Sequence, residues 1–421
     1  ALARDPLDVR SNTAMGIIHK ERGEVEEAKK YLRTAISRLT KDYTRPRDCE
    51  PLYHLGVILK AEGSYESAID TLYRAAWDYE YRSASYYHLA QVYSQQGNYS
   101  DALDAVNESL MVNAMNINAL ALKTTLLRRL NQPEAAAISA KKILDIDPIN
   151  KYAVNELRII SDRFGEDKEA RRDEALLKQL LRDYPENYLE LAVDYLNSGF
   201  LLEARQVLQI AKASGKTGLS DYPTIYYYLG YIHHLKGNVQ AAQAQFQAGM
   251  ALPVDYCFPF RLETLEVYNT ALEYVPEDAV AHYYKGNILY DKQPGQAMLE
   301  WETAVSKDPS IAVAHRNLGF GYEQYAGDID KAITAYETAL SHDKTQPKYY
   351  AELDRLYERR GDPLDKRLEL LTSNHEYVSG RQDALVQEIK VLVQTGGYDK
   401  AIEYMDNTHF HRQEGAEQLH G

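Results

Sequence analysis

A block of about 34 residues recurs along the chain, and each copy places small residues where two helices must touch. The clearest copies read YHLGVILKAEGSYESAIDTLYRAA from Tyr53 and YYLGYIHHLKGNVQAAQAQFQAG from Tyr227. Others read YYKGNILYDKQPGQAMLEWETA from Tyr283 and RNLGFGYEQYAGDIDKAITAYETA from Arg316. A unit this short cannot bury a core alone, so copies must stack on one another. The inner wall of such a stack is the surface on which function is expected.

With Gly56 set as position 8 of its copy, the equivalents are Gly16, Ala90, Thr124, Arg158, Ala192, Gly230, Gly286, Gly319, Asp354 and Ile389. Alanine recurs at position 20 (Ala28, Ala68, Ala102, Ala136, Ala204, Ala242), and a small residue at position 27 (Ala35, Ala75, Ser109, Ala211, Ala304). Missing side-chain bulk at these places lets paired helices approach closely. A glycine near position 15 (Gly23, Gly63, Gly97, Gly199, Gly237) ends each first helix by permitting a positive φ. Pro148, Pro276 and Pro309 stop second helices.

This pattern resembles the tetratricopeptide repeat family. The resemblance implies an all-α, right-handed superhelical solenoid of about eleven helical hairpins plus one half-repeat, with first helices lining a concave groove. Three sections are expected: residues 1–250 as an N-terminal array starting mid-repeat, 251–278 as an irregular segment and a lone second helix, and 279–421 as a C-terminal array ending in a truncated repeat. LPVDYCFPF (252–260) replaces a whole first helix, which predicts a bend or a notch in the groove. Ala1 and Pro6 fall where a second helix would end, so the natural protein is expected to extend upstream.

The family's inner-wall positions, carried onto this chain, give Tyr53, Tyr87, Tyr227, Tyr231, His234, Tyr283, Asn287, Tyr290, Arg316 and Phe320 as ligand-groove candidates. Aromatic rings there offer stacking faces to an extended ligand. The chain holds 35 Tyr against 7 Phe, a balance suited to sites with one apolar and one wet side. Charged residues at groove positions run slightly basic although the chain carries −14, favouring a neutral or mildly acidic protein or peptide, or the chain's own upstream domain. The carboxylate clamp of chaperone-binding relatives is matched only by Asn287, Asn317 and Lys348, and Glu352 would repel the carboxylate.

No dense Lys/Arg block supports nucleic-acid binding, and no stretch approaches 18 uninterrupted apolar residues, so no membrane insertion is expected. No phosphate loop, zinc-type cysteine set or nucleophile elbow is present; the reading is of a non-enzymatic scaffold without cofactor or metal. His409, His411, Glu414, Glu417 and His420 are metal-competent types read here as a polar segment leading into a truncated unit. The runs WETAV (301–305), HRNLG (315–319), ELDRLYERRG (352–361), RQDALV (381–386) and FHRQEGAE (410–417) resemble the repeat region of large bacterial proteins with an N-terminal β-rich domain. That second resemblance implies an alternative role as the accessory arm of a carbohydrate-related enzyme or sugar-binding protein. Self-association through the array ends is a third.

Overall fold

Small residues at positions 8 and 20 decide the architecture by steric exclusion. A Cβ added to Gly56 would stand 2.7 Å from Leu72 Cδ2, and one added to Gly230 would stand 2.5 Å from Phe246 Cε1. The partner helix therefore lies closer than any side chain would allow. Ala28, Ala68, Ala102, Ala136, Ala204 and Ala242 are all completely buried, as are Ala35, Ala75, Ser109, Ala211 and Ala304. These contacts bury the small residues on which each hairpin closes.

The computed structural model describes residues 2–42, 44–164 and 167–410, and among them all regular structure is helical. The chain falls into two compact units, residues 1–225 and 226–421. The first contains six hairpins: α1 (Val9–Glu21) with α2 (Val25–Leu39), α3 (Glu50–Ala61) with α4 (Tyr65–Ala75), α5 (Tyr79–Gln95) with α6 (Tyr99–Val112), α7 (Ile117–Arg129) with α8 (Pro133–Ile146), α9 (Lys151–Phe164) with α10 (Asp167–Leu181), and α11 (Pro185–Leu196) with α12 (Leu201–Lys212). Positive φ angles of 71–79° at Gly23, Gly63, Gly97, Gly199 and Gly237 turn first helix into second.

The second unit begins within α13 (Pro223–Leu235), which pairs with α14 (Val239–Met250). A lone α15 (Thr264–Tyr274) follows, then α16 (Ala279–Leu289) with α17 (Pro294–Lys307), and α18 (Ala312–Gly321) with α19 (Ile329–His342). Tyr322–Ala326 extends α18 as a π-helical turn, closed by Gly327 at φ 68°. The remainder is α20 (Pro347–Arg360), α21 (Leu364–Thr372), α22 (His375–Val378), α23 (Gln382–Gln394) and α24 (Tyr398–Asn407). Among the described residues this makes eleven hairpins, with the lone α15 and the four-residue α22 outside them.

Tyrosine supplies much of the core. Tyr188, Tyr195, Tyr227, Tyr268, Tyr283, Tyr284, Tyr336 and Tyr350 are eight of the twelve largest fully buried side chains. Two of these hydroxyls hold buried carboxylates: Tyr195 donates to Glu156 Oε1 at 2.9 Å and Tyr227 to Asp278 Oδ2 at 2.8 Å.

Candidate functional site

Each unit has its own inner face, and the two differ. In the first, the array curls back on itself. The turn between α11 and α12 returns to α5, more than 100 residues earlier in the chain. Ser94 Oγ donates to Ser198 O at 2.6 Å, Gln95 Nε2 to Asn197 O at 3.0 Å, and Gln91 Nε2 reaches Ser198 Oγ at 3.5 Å. Phe200 is 1% exposed and meets the Tyr99 ring at 6.2 Å between centroids.

A buried ion cluster braces the same closure. Arg128 forks onto Glu156 (2.7 and 3.0 Å) and also donates to Glu203 Oε1 at 2.8 Å, while Arg129 donates to Glu203 Oε2 at 2.5 Å. Arg128, Glu156 and Glu203 are nearly or wholly buried, so each needs every one of these partners. Between α5, α7, α9 and α11 there remains a cleft of about 40 Å³, lined by Tyr87, Asn118, Leu122, Tyr152, Asp194 and Ser198. The α11–α12 turn thus packs against α5 on the face where an open groove was expected.

Of the predicted groove residues in this unit, Tyr53 and Tyr87 stay half-buried on either side of His88. Tyr53 Oη lies 3.3 Å from His88 Nε2, and Gln91 Nε2 donates to Tyr87 Oη at 3.1 Å. Lys60, one turn beyond Gly56, donates to Gln91 Oε1 at 2.6 Å and lies 3.3 Å from His88 Nδ1. Among the described residues no carboxylate comes within 4.0 Å of its ammonium. Burial without a counter-charge lowers the Lys60 pKa to about 8. Burial, and then the nearby lysine, hold His88 neutral, with its pKa lowered to about 3.

In the second unit, four predicted residues come together on α16 and α18. Asn287 Oδ1 accepts from Trp301 Nε1 (3.1 Å) and Asn317 Nδ2 (2.9 Å). Arg316 forks onto Glu352, with Nε–Oε2 at 2.9 Å, and its guanidinium lies 5.3 Å from the Phe320 centroid. Tyr290 stacks on Trp301 at 5.2 Å and tilts toward Phe320 at 5.7 Å. Tyr231 and His234 form a separate pair on α13, rings 6.1 Å apart, with His234 Nδ1 3.0 Å from Tyr274 Oη.

Tyr227 and Tyr283 require correction as groove residues, since they are 0% and 1% exposed. The segment that replaces a first helix is responsible for Tyr283: Cys257 is completely buried and interacts with both Tyr283 and Tyr284. Tyr227 is covered by Tyr268 of the lone helix, with ring centroids 5.0 Å apart, and is tied to Asp278. Residues 252–260 therefore cover the wall at Tyr283 instead of opening a notch there. Along that segment Tyr256, Phe258 and Phe260 are 85%, 64% and 65% exposed, alternating with buried Cys257 and Pro259.

Sequence reasoning missed His88 as the partner of Lys60, and it missed the α11–α12 turn as a plug. Nothing in the repeat register marks the second, since its contacts join segments more than 100 residues apart. Among the described residues no group of three or more His, Cys, Asp or Glu could hold a metal. His411, Glu414, Glu417 and His420 lie outside the described residues.

Residues 9–38 and 189–251 match tetratricopeptide repeat models, and residues 28–109 match the model of anaphase-promoting complex, cyclosome, subunit 3. Among solved structures, a tetratricopeptide repeat protein from Parabacteroides merdae is 18% identical, covering 63% of this chain and 98% of its own at a TM-score of 0.41. Yeast Tom70 is 13% identical over 95% of this chain and 99% of its own, with a TM-score of 0.30. MamA from Desulfovibrio magneticus is 22% identical over 47% and 97%, with a TM-score of 0.27.

Proposed function

We propose that this chain, residues 9–38 and 189–251 of which match tetratricopeptide repeat models, is a non-enzymatic scaffold that holds a peptide or partner protein on its first-helix faces. The observation that carries this reading is the Tyr290–Arg316–Phe320 platform of the second unit. All three side chains are half-buried, and the Arg316 charge is already balanced by Glu352. An arriving chain would meet aromatic faces and fixed amides rather than loose charge, the composition that dominates binding hot spots. The exposed aromatics of 252–260 add apolar surface in the same unit.

A photo-cross-linking amino acid placed at Phe320 should label a defined partner, whereas the same probe at Leu299, 56% exposed on α17, should not. Tyr290→Ala should weaken that partner's binding by about 30-fold, the equivalent of ~2 kcal/mol at a hot spot. Equal labelling from both positions would remove the inner face from the reading.

A further inference from the structure

We propose that the outer face of the first unit, formed by α4, α5 and α6, docks a basic segment of a partner protein, with its arginine side chains seated between Tyr73, Tyr86 and Tyr93 and the carboxylates of α6. This surface lies on the side of α5 turned away from the inner wall and does not depend on it.

Two helices supply the aromatic part. Tyr86 and Tyr93 lie two turns apart on one face of α5, and Tyr73 of α4 bridges them. The Tyr73 ring stands edge-on to Tyr86, with centroids 6.1 Å apart at 89°, and its hydroxyl lies 3.2 Å from that of Tyr93. Tyr73 is exposed, and the other two are half-buried. Glu66, Asp70 and Tyr73 share one stripe of α4. Beyond that stripe runs an open furrow of about 430 Å³, floored by Leu55 and Leu59, with Glu66 and Asp70 on one wall and Arg33 on the other. An apolar side chain flanking the arginines would find its anchor there.

Charge selects the occupant. Helix α6 carries Asp101, Asp104 and Glu108 but no lysine or arginine. All three are exposed, lie on one helical face and repel one another. Other second helices pair such acids with a base three or four residues on: Glu26 with Lys29, Asp70 with Arg74, Glu174 with Lys178. Among the described residues, no cation comes within 4.0 Å of the three α6 carboxylates. The row adjoins the rings, since burial and then Glu108 raise the Tyr86 pKa, and Asp101 adds to burial and Tyr73 in raising that of Tyr93. Arg82 also faces Tyr86, but its Nε donates to Ala76 O at 3.1 Å.

Neighbouring Trp77 already carries a cation, with the Arg45 guanidinium 5.8 Å from its ring centroid. Among the described residues none lies over Tyr73, Tyr86 or Tyr93. Arginine suits the place better than lysine, because its planar guanidinium stacks on a ring while its N–H groups reach a carboxylate. The acidic row repels phosphate surfaces, and among the described residues no group of His, Cys, Asp or Glu could hold a metal ion instead. At 1.5 Å per residue the row is about 10 Å long, enough for two or three arginines of one segment.

The test is titration calorimetry on the full chain with three alanine-rich dodecapeptide amides. They carry arginine, lysine or neutral citrulline at the third, sixth and tenth residues, the spacing of the α6 row. In about 0.05 M salt the arginine peptide should bind about tenfold more tightly than the citrulline peptide, and about threefold more tightly than the lysine peptide. The triple variant Asp101→Asn/Asp104→Asn/Glu108→Gln should lose the advantage over citrulline. A control, Asp365→Asn/Glu369→Gln/Asp399→Asn, removes the same charge from exposed positions of the second unit and should keep it. Tyr73→Ala should lose the preference for arginine over lysine. Equal loss in both triple variants would mean unspecific attraction to an acidic protein and overturns the site. Survival of the preference in the α6 variant overturns it, as does no binding of the arginine peptide at millimolar concentration. Tyr290→Ala should leave arginine-peptide binding unchanged; a loss there would move the peptide to the inner face and overturn the outer site, whereas failure at α6 alone leaves the inner face untouched.

Discussion

Gly199 and Gly97 provide a matched pair that isolates the energy of the cross-repeat closure. Both sit at the turn of a hairpin in the first unit, with φ of 76° and 79°. Alanine at either position meets the same left-handed backbone cost, about 1–2 kcal/mol, partly offset by a less flexible unfolded chain. Beyond that their surroundings diverge. A Cβ on Gly97 would have nothing within 4 Å, whereas one on Gly199 would stand 2.8 Å from Gln95 Cα, a backbone atom that cannot rotate away. The shortfall against ordinary carbon contact is about 1 Å, enough to push the turn off α5. Overpacking of this kind costs about 1–3 kcal/mol, and losing the Ser94 and Gln95 hydrogen bonds adds about 1 kcal/mol each. Gly199→Ala should therefore destabilise the first unit by about 3–5 kcal/mol more than Gly97→Ala. Guanidinium midpoints give the difference. Peptide-resolved hydrogen exchange should show faster exchange across residues 91–95 and 196–204 in Gly199→Ala alone. Equal midpoints and unchanged exchange in both variants would refute the claim that this turn closes the unit.

Four further outcomes follow from contacts described above. Glu203→Gln, which leaves Arg128 and Arg129 short of a buried counter-charge, should cost about 3–5 kcal/mol in chemical denaturation. Lys60 is held below its unfolded pKa, so at neutral pH its charge is a standing cost to the fold; Lys60→Met should raise the melting temperature, with a gain of about 1 kcal/mol once its half-exposed end is allowed for. His88 is also held below its unfolded value, so the stability it contributes is full above pH 6.5 and is lost as pH falls toward 3; a pH series of melting temperatures should slope less in His88→Asn. Gly286→Ala would drive a Cβ into the Trp301 indole, and since Trp77 is 40% exposed, the red shift on displacing Trp301 should be visible in intrinsic fluorescence.

How much of this was legible in the sequence divides along a physical line. The hairpins were legible because the contacts that make them repeat: a small residue at a fixed interval must meet a large one in the next helix, and Gly56 with Leu72 recurs as Gly230 with Phe246. The half-repeat was legible because the interval broke. The groove was harder, because a tyrosine satisfies a wet wall and a dry core equally well. Position alone assigned Tyr227, Tyr283 and Tyr290 to the same face, and only Tyr290 remains half-buried there. What separates them is the cover supplied by the Tyr268 ring and Cys257, which lie outside the repeat register. The plug was invisible for a related reason. It is made of serine, asparagine and glutamine contacts between segments more than 100 residues apart, and such contacts leave no period to detect.

The return of the α11–α12 turn to α5 also constrains how this protein could change over generations. Repeat arrays ordinarily gain or lose copies by duplication, since each copy depends only on its neighbours. Between residues 95 and 197 that freedom is withdrawn: one more 34-residue copy would carry Ser198 away from Ser94 and leave the Glu203 carboxylate out of reach of Arg128. Copy number within this arc is set by a closing distance, and homologues that vary in length should vary elsewhere.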